Sequence, residues 1–386
     1  MESKDIMKKE KKYVMQTYSR LPLVISHGAG SYIFDKDGKK YLDLVGAIAT
    51  NSVGYGNKFV SKAVGEQSKK LINATNLYYT EAQVLLAEKL HNTSGLDRAF
   101  FSNSGTEAVE AALKLARKYT KKKGIISTAH GFHGRTFGAL SATGKESIKK
   151  PFEPLVPHFR QIPYNNPEAL KHAITDNTAA FIVEPIQGEA GVIIPQDDYL
   201  IHIREICEQK DVLLIVDEIQ TSLRTGSWFA FQHQKIMPDI ITIAKGIANG
   251  VPLGATMARE EVANAFEKGD HGSTFGGNSL SCAAALATID FIEKNDLITQ
   301  AKKKGEHFLK QIRSIDSSLD KEARGKGLMA ALELKENNAL EITKKALSYG
   351  LIVNKVSDNT LRFLPPLTIT EKEIDEGIGI LEKVLQ

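Results

Sequence analysis

Val212-Leu-Leu-Ile-Val-Asp217-Glu-Ile-Gln220 is an unbroken apolar run that ends in two carboxylates. Continuous apolar residues are typical of a strand that is buried on both faces of a parallel sheet. Similar runs recur at Arg98–Ser102, Gly124–Ser127, Ala180–Val183 and Ile240–Ala244. Amphipathic segments that fit helices lie between them, for example at 104–120 and 198–210. This alternation predicts an α/β domain with a mostly parallel sheet.

The regions on either side of this domain have a different pattern. Two short strand-like runs, Gly30–Phe34 and Lys40–Leu44, flank the turn Asp35-Lys-Asp-Gly38, which lacks the downstream glutamate of a calcium loop. Beyond about residue 290, long charged helices precede further strand-like segments. We expect two domains. They are a large domain at 51–289 and a smaller α+β domain built from 1–50 and 290–386.

The composition limits the classes of function. Among 386 residues, 50 are Lys or Arg and 46 are Asp or Glu, and the net charge of +4 does not indicate nucleic-acid binding. No stretch approaches the roughly 18 uncharged apolar residues of a membrane helix. The start, MESKDIMKKEKKY, lacks the apolar segment of a secretory signal, and Cys207 and Cys282 cannot build a disulfide framework. We expect a cytoplasmic protein that binds neither nucleic acid nor membrane.

Ser102-Asn-Ser-Gly-Thr-Glu-Ala108 lies where a predicted strand passes into a predicted helix. Ser104 and Glu107 have the spacing of a capping box, and Gly105 allows a ligand to approach the backbone closely. The N–H groups of a first helical turn bind phosphate well. A well-capped helix without a ligand explains the segment equally well. The glycine patterns of P-loops and dinucleotide-binding folds are absent here.

Charged side chains follow two of the apolar runs. Asp217 and Glu218 end one run, and Lys245 ends another. The carboxyl ends of parallel strands line the ligand crevice of an α/β sheet. Desolvation lowers the pKa of a buried lysine toward that of a nucleophilic amine. A purely structural salt bridge between Asp217 and Lys245 is the alternative.

A phosphate cradle, a carboxylate and a desolvated lysine are together what a pyridoxal 5′-phosphate site requires. The lysine forms a Schiff base, and the carboxylate keeps the pyridine nitrogen protonated so that the ring withdraws electrons. Phe132, in Gly131–Thr136, can supply an aromatic face for this ring. A metal site at His130 and His133 is the alternative, but no carboxylate cluster accompanies them. We expect no metal.

Motifs along the chain resemble those of the class-III, fold-type-I aminotransferases, and most closely those of the acetylornithine aminotransferases. The similarity extends from about Tyr18 to about Pro366. The motifs, in order, are SNSGTEAVEAALKLAR (102–117), GFHGRT (131–136), VEPIQGEAGV (183–192), VDEIQT (216–221), IAKGIANGVPLGA (243–255) and HGSTFGGN (271–278). The resemblance implies a fold-type-I pyridoxal-phosphate transferase, with a seven-stranded sheet in the large domain and a smaller α+β domain.

The resemblance also implies which residues act on the cofactor. Lys245 would bind it and carry the proton, while Asp217 would pair with the pyridine nitrogen. Thr274 would reach a phosphate across a dimer interface, so the active unit would be a homodimer with shared sites. The implied cofactor-binding residues are Gly105, Thr106, Phe132, Asp217, Glu218, Ile219, Gln220, Lys245 and Thr274.

Substrate residues follow from the same resemblance. Arg135 would bind the distal carboxylate and Arg362 the α-carboxylate, since planar guanidinium groups pair with carboxylates through two hydrogen bonds. Glu189 would shield Arg362 when the ω-amino donor is bound. Ser273 would lie near the partner's substrate, and Tyr18 belongs to a YxRxP opening. Without the resemblance, Arg362 reads as a strand-surface residue near a proline turn.

The implied reaction moves the δ-amino group of N2-acetyl-L-ornithine to 2-oxoglutarate, a step of arginine biosynthesis. The YxRxP opening and Asn76–Tyr79, which matches NLYY, favour this donor. Two segments depart from the family pattern: Gly54–Lys58 replaces GHxHP, and Ser222–Gly226 shortens a glycine-rich GxGRTG. The alternatives are ornithine, succinylornithine, a lysine-pathway analogue or 4-aminobutyrate as donor, an aminomutase reaction, or a non-enzymatic phosphate-binding protein.

Overall fold

The computed structural model describes residues 1–315 and 320–386, in which strands and helices alternate. The strands are β1 (Ile25–Ala29), β2 (Tyr32–Asp35), β3 (Lys40–Asp43), β4 (Arg98–Ser102), β5 (Gly124–Thr128), β6 (Phe159–Ile162), β7 (Thr178–Val183), β8 (Leu213–Asp217), β9 (Ile240–Ile243), β10 (Gly254–Ala258), β11 (Asp320–Lys326), β12 (Met329–Leu334), β13 (Leu351–Ile352), β14 (Asn354–Ser357) and β15 (Thr360–Phe363). The helices are α1 (Ser3–Tyr13), α2 (Gly46–Ala49), α3 (Lys58–Lys70), α4 (Glu81–Ser94), α5 (Gly105–Thr120), α6 (Phe137–Ala142), α7 (Glu146–Lys149), α8 (Pro167–Ala173), α9 (Tyr199–Gln209), α10 (Glu260–Ala263), α11 (Ser279–Lys294), α12 (Leu297–Arg313), α13 (Ala339–Ser348) and α14 (Glu371–Leu385). Short 3₁₀ helices lie at Lys150–Phe152, Ala230–Gln234 and Lys245–Ala248.

A seven-stranded sheet forms the centre of the molecule, in the order β4-β10-β9-β8-β7-β5-β6. All its strands run in the same direction except β10, which pairs antiparallel with β4 and with β9. The mostly parallel α/β sheet is thus confirmed. The strand predictions omitted β6 and β10, because FRQI is partly polar and GATMA consists mainly of small residues, so neither is a long apolar run.

Helices cover both faces of this sheet, which explains why its central strands are buried throughout and mostly apolar. Every residue of β7, β8 and β9 is buried. Alternate residues of β8 belong to different core clusters: Leu213 and Ile215 pack with α5, and Leu214 and Val216 pack with α9. Among the described residues, no helix is both long and apolar enough to cross a membrane.

Two smaller sheets lie outside the central one. The predicted hairpin is β2–β3, and Oδ1 of Asp35 accepts the backbone N–H groups of Asp37 and Lys39 at its turn. This hairpin continues on one side into β1 and on the other into β13, which is parallel to β3. The third sheet, β11-β12-β15-β14, is antiparallel. The N-terminal strands therefore share a sheet with a strand from the C-terminal region.

The turn that leads from β3 toward the central sheet is left-handed. Gly46, Ala47, Ile48 and Ala49 have φ values of 56°, 51°, 56° and 68°. Side chains other than glycine rarely adopt this conformation, and three in succession indicate stored strain. A Cβ on Gly46 would lie 2.7 Å from the carbonyl oxygen of Leu364. Glycine is therefore required at the first position of this turn.

Candidate active site

A cavity of about 400 Å³ lies at the carboxyl ends of the parallel strands. This is the place where open α/β sheets bind their ligands. Its walls come from segments that follow β4, β5, β7, β8 and β9. The predicted site residues that line it are Gly105, Thr106, Phe132, Arg135, Asp217, Ile219, Gln220 and Lys245.

Asp217, the last residue of β8, has a hydrogen-bond partner on each side of its buried carboxylate. Oδ1 accepts the backbone N–H of Ile219 and the hydroxyl of Thr242, each at 3.1 Å, and Oδ2 accepts Nδ1–H of His133 at 2.7 Å. Burial opposes a charged imidazole, but the hydrogen bond and charge of Asp217 outweigh it and raise the pKa of His133. Within the described chain, Asp217 forms its ion pair with His133 and not with Lys245.

Lys245 opens a 3₁₀ turn directly after β9, and its side chain lines the cavity. Its φ of 49° is left-handed, a strained conformation of the kind that clusters at functional sites. Burial, with the nearby charge of Arg362, lowers the pKa of Lys245 although Glu189, Asp217 and Glu184 oppose the shift. A lysine with a lowered pKa has a larger neutral, nucleophilic fraction.

The expected phosphate cradle is the start of α5. Ser104 caps this helix by accepting the backbone N–H of Glu107 at 3.4 Å. The carboxylate of Glu107 returns to the backbone N–H of Asn103 at 2.5 Å, one residue before the position of a capping box. The N–H groups of Gly105 and Thr106, as first-turn groups, have no acceptor within the helix. The turn therefore presents free donors to the cavity.

Phe132 and Arg135 reach the cavity from the segment that follows β5. The backbone N–H of Phe132 donates to Glu184 at 3.0 Å, and the Arg135 guanidinium lies 5.8 Å from the centre of the Phe132 ring. The side chain of Arg135 is exposed, so it can meet a ligand entering from solvent. The Phe132 ring and the Arg135 guanidinium therefore lie next to each other in the cavity wall.

Arg362 lies behind Gln220, in β15, and is 1 % exposed. Its Nη1 donates to Oε1 of Glu189 at 2.5 Å and to Oε1 of Gln220 at 2.9 Å, while Nη2 donates to Asn354 at 2.8 Å. Although burial opposes it, the charge of Arg362 lowers the pKa of Glu189. Glu189 is about one-third exposed, so it separates Arg362 from solvent.

Four other predicted residues lie outside the cavity lining of this chain. The carboxylate of Glu218 points into the core, where it accepts the Thr221 hydroxyl and the backbone N–H of Phe231. The hydroxyl of Ser273 accepts from Asn103, which lines the cavity. The backbone of Thr274 accepts from Asn73, and Tyr18 is 73 % exposed with Arg20 over its ring.

Comparison with known proteins identifies the family of this fold and site. The profile of the class-III aminotransferases matches residues 13–385. The chain is 48% identical to the acetylornithine aminotransferase of Archaeoglobus fulgidus over 98% of this chain and 99% of that one, and 47% identical to that of Methanocaldococcus jannaschii over 97% and 96%.

The chain belongs to the class-III aminotransferases. Its fold agrees with that of solved members, such as the ornithine aminotransferase of Toxoplasma gondii, with a TM-score of 0.96, 33% identity, and coverage of 100% of this chain and 95% of that one. A class-III aminotransferase moves an amino group from an amino-acid donor to a keto acid, and pyridoxal 5′-phosphate is its cofactor. The resemblance drawn from the motifs is therefore confirmed.

The residues of this aminotransferase fit that cofactor. A lysine amine, a carboxylate hydrogen-bonded to a histidine, an open helix N-terminus and an aromatic ring all border one cavity. Glycine is needed at position 105 by the packing of the site itself, because a Cβ there would lie 2.8 Å from Cδ1 of Ile219. The first turn of α5 and the Ile219 side chain therefore meet without a gap.

Sequence reasoning missed several residues of the aminotransferase site. Glu184 lines the cavity just after β7, and its carboxylate accepts backbone N–H groups of Phe132 and Gly188. Burial raises the pKa of Glu184 to about 7. Glu184 directly follows a buried strand, so the pattern that indicates Asp217 as a site residue indicates Glu184 as well. The role of His133 had no sequence signal beyond its place beside Phe132.

Proposed function

We propose that the protein transfers the δ-amino group of N2-acetyl-L-ornithine to 2-oxoglutarate, giving N-acetyl-L-glutamate 5-semialdehyde and L-glutamate. The observation that carries this proposal is one cavity with the Lys245 amine inside it, the exposed Arg135 at its wall and the buried Arg362 behind Gln220. Two arginines suit a substrate with two carboxylates. The names of the relatives at 44–48% identity support N2-acetylornithine as the donor.

Lys245 and Asp217 carry the chemistry in this proposal. When bound, pyridoxal phosphate supplies an aldehyde that accepts the amino group and a ring that withdraws electrons from the reacting carbon. Lys245 Nζ, with its lowered pKa, binds the cofactor and afterwards moves the proton at the substrate carbon. Asp217, oriented by His133 and Thr242, holds the proton of the pyridine nitrogen.

The remaining cofactor contacts are assigned by position. Gly105 and Thr106 offer first-turn N–H groups to the phosphate. Phe132, which lines the cavity, would pack against the ring, and Ile219 lies against the start of α5. Gln220, also in the lining, would contact the bound cofactor. Glu218 contributes indirectly, because its backbone N–H donates to Thr242 at 2.9 Å and so fixes the end of β8 beside Asp217.

Substrate binding is assigned to the two arginines. Arg135 binds the distal carboxylate of 2-oxoglutarate, and Arg362 binds its α-carboxylate. Because Oε1 of Glu189 is 2.5 Å from Arg362, Glu189 must leave this position when a carboxylate arrives. When the ω-amine of the donor reacts, Glu189 stays and neutralises Arg362. One site can thus accept two different substrates in turn.

We propose that the active unit is a homodimer. Exposed apolar side chains cluster next to Ser273 and Thr274: Leu77 is 84 %, Tyr79 100 % and Phe275 60 % exposed. Nδ2 of Asn76 donates to the carbonyl oxygens of Ser273 and Gly276, which ties both segments together. A second copy would cover this surface. Thr274 and Ser273 would then reach the partner's phosphate and substrate.

The domain limits and the compartment belong to the same proposal. The pairing of β3 with β13 supports a small domain made of 1–50 and 290–386, with 51–289 as the large domain. Cys207 and Cys282 are free and buried, which suits the reducing cytoplasm. Tyr18 is assigned to the substrate, since it precedes the hairpin and its ring is accessible.

The test is the first half-reaction, followed by absorption of the pyridoxal-phosphate-loaded protein. N-acetylornithine alone should convert the aldehyde form of the cofactor to its amine form, and 2-oxoglutarate should reverse the change. Ornithine is the second candidate donor, because the T. gondii ornithine aminotransferase has nearly the same fold. Comparing kcat/KM for the two amines decides between them. No conversion with either amine would contradict the proposed substrate class.

A further inference from the structure

Segment Ser222–Gly226, where the chain departs from the family pattern, buries an arginine that has no carboxylate partner among the described residues. Arg224 is 2 % exposed. Within residues 1–315 and 320–386, its guanidinium donates to backbone carbonyls alone: Ala49 at 3.2 Å, and Leu328 and Pro365 at 3.5 Å each. A buried charge held by a few long hydrogen bonds is costly. Such a cost calls for a functional explanation.

A second buried arginine, Arg362, acts on Arg224. Burial, and after it the positive charge of Arg362, lowers the pKa of Arg224 to about 10. In the described chain, the carboxylate paired with these two arginines is Glu189, which contacts Arg362. Asn354 and Gln220, the other side chains bonded to Arg362, are neutral. The region therefore contains an excess of positive charge.

Arg224 lies between the cavity wall and the strand that carries Arg362. Ala49, whose carbonyl it contacts, ends the left-handed turn of α2 and precedes Thr50, a cavity residue. Pro365, another contact, follows Arg362 by three residues. The carbonyl groups that accept from Arg224 thus belong to the segment that leads to Thr50 and to the segment that follows Arg362. Arg224 does not itself line the cavity.

We propose that Arg224 is a specificity-determining positioning residue, whose buried positive charge strengthens the binding of substrate carboxylates at Arg362. The inference rests on the proposed function, in which a carboxylate displaces Glu189 from Arg362. In a medium of low effective dielectric constant, a second cation acts on an anion without contact. An arriving carboxylate then compensates two buried arginines instead of one.

A purely structural role for Arg224 makes the opposite prediction about stability. If its three carbonyl contacts were the reason for its presence, an apolar replacement would destabilise the fold. If the buried charge serves the ligand, a replacement of similar volume should be neutral or stabilising in the absence of substrate. Carboxylate affinity should therefore fall without any loss of stability.

The experiment uses the full-length, pyridoxal-phosphate-loaded protein and glutarate, a dicarboxylate without a reacting group. Calorimetric titration of Arg224→Met should show glutarate affinity reduced by about tenfold or more. The urea unfolding midpoint of this variant should equal or exceed that of the wild type. Arg224→Lys keeps the charge and should bind glutarate within about threefold of the wild type.

Arg204→Met is the matched control. Arg204 is also buried, but it pairs with Asp239 at 2.7 Å and Glu208 at 3.1 Å, near the amino end of β9. Its replacement should lower the unfolding midpoint and leave glutarate affinity unchanged. This result would show that the loss of glutarate affinity is specific to Arg224 and does not follow from removing just any buried arginine.

Unchanged glutarate affinity in a folded Arg224→Met variant overturns the inference. If that variant does not fold, Arg224→Lys decides: retained affinity supports the role of charge, and a loss as large as that of Arg362→Met overturns it. Arg362→Met, measured in parallel, keeps the two proposals distinct. A wild-type protein that does not bind glutarate contradicts the role of Arg362 itself, and with it the function from which this inference starts.

Discussion

Nδ1 of His133 lies 2.7 Å from Oδ2 of Asp217, and both side chains are buried at the carboxyl end of β8. A carboxylate at the end of a buried strand is costly unless it has a partner. His133 is that partner, and Thr242 fixes the other oxygen at 3.1 Å. The carboxylate that faces the cavity is therefore held in one orientation before any cofactor arrives.

Asp217→Asn should retain the fold and bind the cofactor yet lose activity by at least about a hundredfold, because an amide does not favour a protonated ring. His133→Asn should lower kcat by about 10- to 100-fold, the weight of a hydrogen bond to a charged group. Single-turnover rates of both variants and the double variant measure the coupling. Additive losses would show that the pair does not act as a unit.

Much of this site could be predicted because its residues stand at strand ends. Asp217 and Lys245 follow apolar runs, and the carboxyl ends of parallel strands meet at one edge, so local patterns place them together. The partner of Asp217 could not be predicted, since His133 is 84 positions away. The contact between Glu189 and Arg362, which are 173 positions apart, was expected from the family resemblance and not from any local pattern. Such contacts depend on how whole elements pack.

The left-handed backbone of the turn after β3 could not be predicted from the sequence either. Ala47, Ile48 and Ala49 are left-handed, although none of them is a residue that favours this region. Tertiary contacts tie this segment to the central sheet, such as the bond from the Ser52 hydroxyl to the carbonyl of Gly246 at 2.5 Å. No propensity in the sequence reports contacts of this kind.

Lys245→Met should abolish activity but not weaken the fold. Its volume is close to that of lysine, and turnover should fall by more than about a thousandfold because the nucleophile is absent. The folded-state pKa of Lys245 is lowered, so the protonated lysine opposes folding at neutral pH. Urea unfolding of both cofactor-free proteins at pH 7 should show the variant equal or more stable. A clearly less stable variant would mean that the ammonium group has a structural partner.

Glu218→Gln should change how stability depends on pH. Burial raises the pKa of Glu218 from 4.5 to about 7, so the stability that this group contributes is complete below about pH 4.5 and is lost as the pH rises through about 7. At pH 8 the variant should be more stable than the wild type by up to about 3 kcal/mol. At pH 4.5 the two should be nearly equal, because both side chains are then neutral in the folded protein.

Urea unfolding at pH 4.5 and pH 8 checks this expectation, with the exposed Glu306→Gln as the matched control. The control should show the same difference from the wild type at both values. Glutamine keeps an oxygen that can accept from Phe231, now at 2.9 Å from Glu218, so the fold should be retained. A Glu218→Gln variant that is less stable at pH 8 would rule out an uncompensated carboxylate at this position.

Glu110, on α5, fixes the segment that presents Arg135. Its Oε1 accepts the Thr136 hydroxyl at 2.5 Å and the backbone N–H groups of Gly138 and Ala139 at 2.9 Å and 3.1 Å. These N–H groups belong to the first turn of α6, and Thr136 itself makes no side-chain cap there. The carboxylate of a neighbouring helix therefore caps α6, one residue after the arginine.

Glu110→Ala should raise the KM for 2-oxoglutarate by about tenfold with a much smaller change in kcat, because Arg135 loses its orientation while Lys245 and Asp217 keep theirs. The lost cap should also lower the free energy of unfolding by about 1 kcal/mol. Glu110→Gln retains the accepting oxygen and should stay near the wild type in both quantities. Steady-state kinetics with varied 2-oxoglutarate give the comparison. An unchanged KM in a destabilised Glu110→Ala variant would show that Glu110 has only a structural role and that the cap does not orient Arg135.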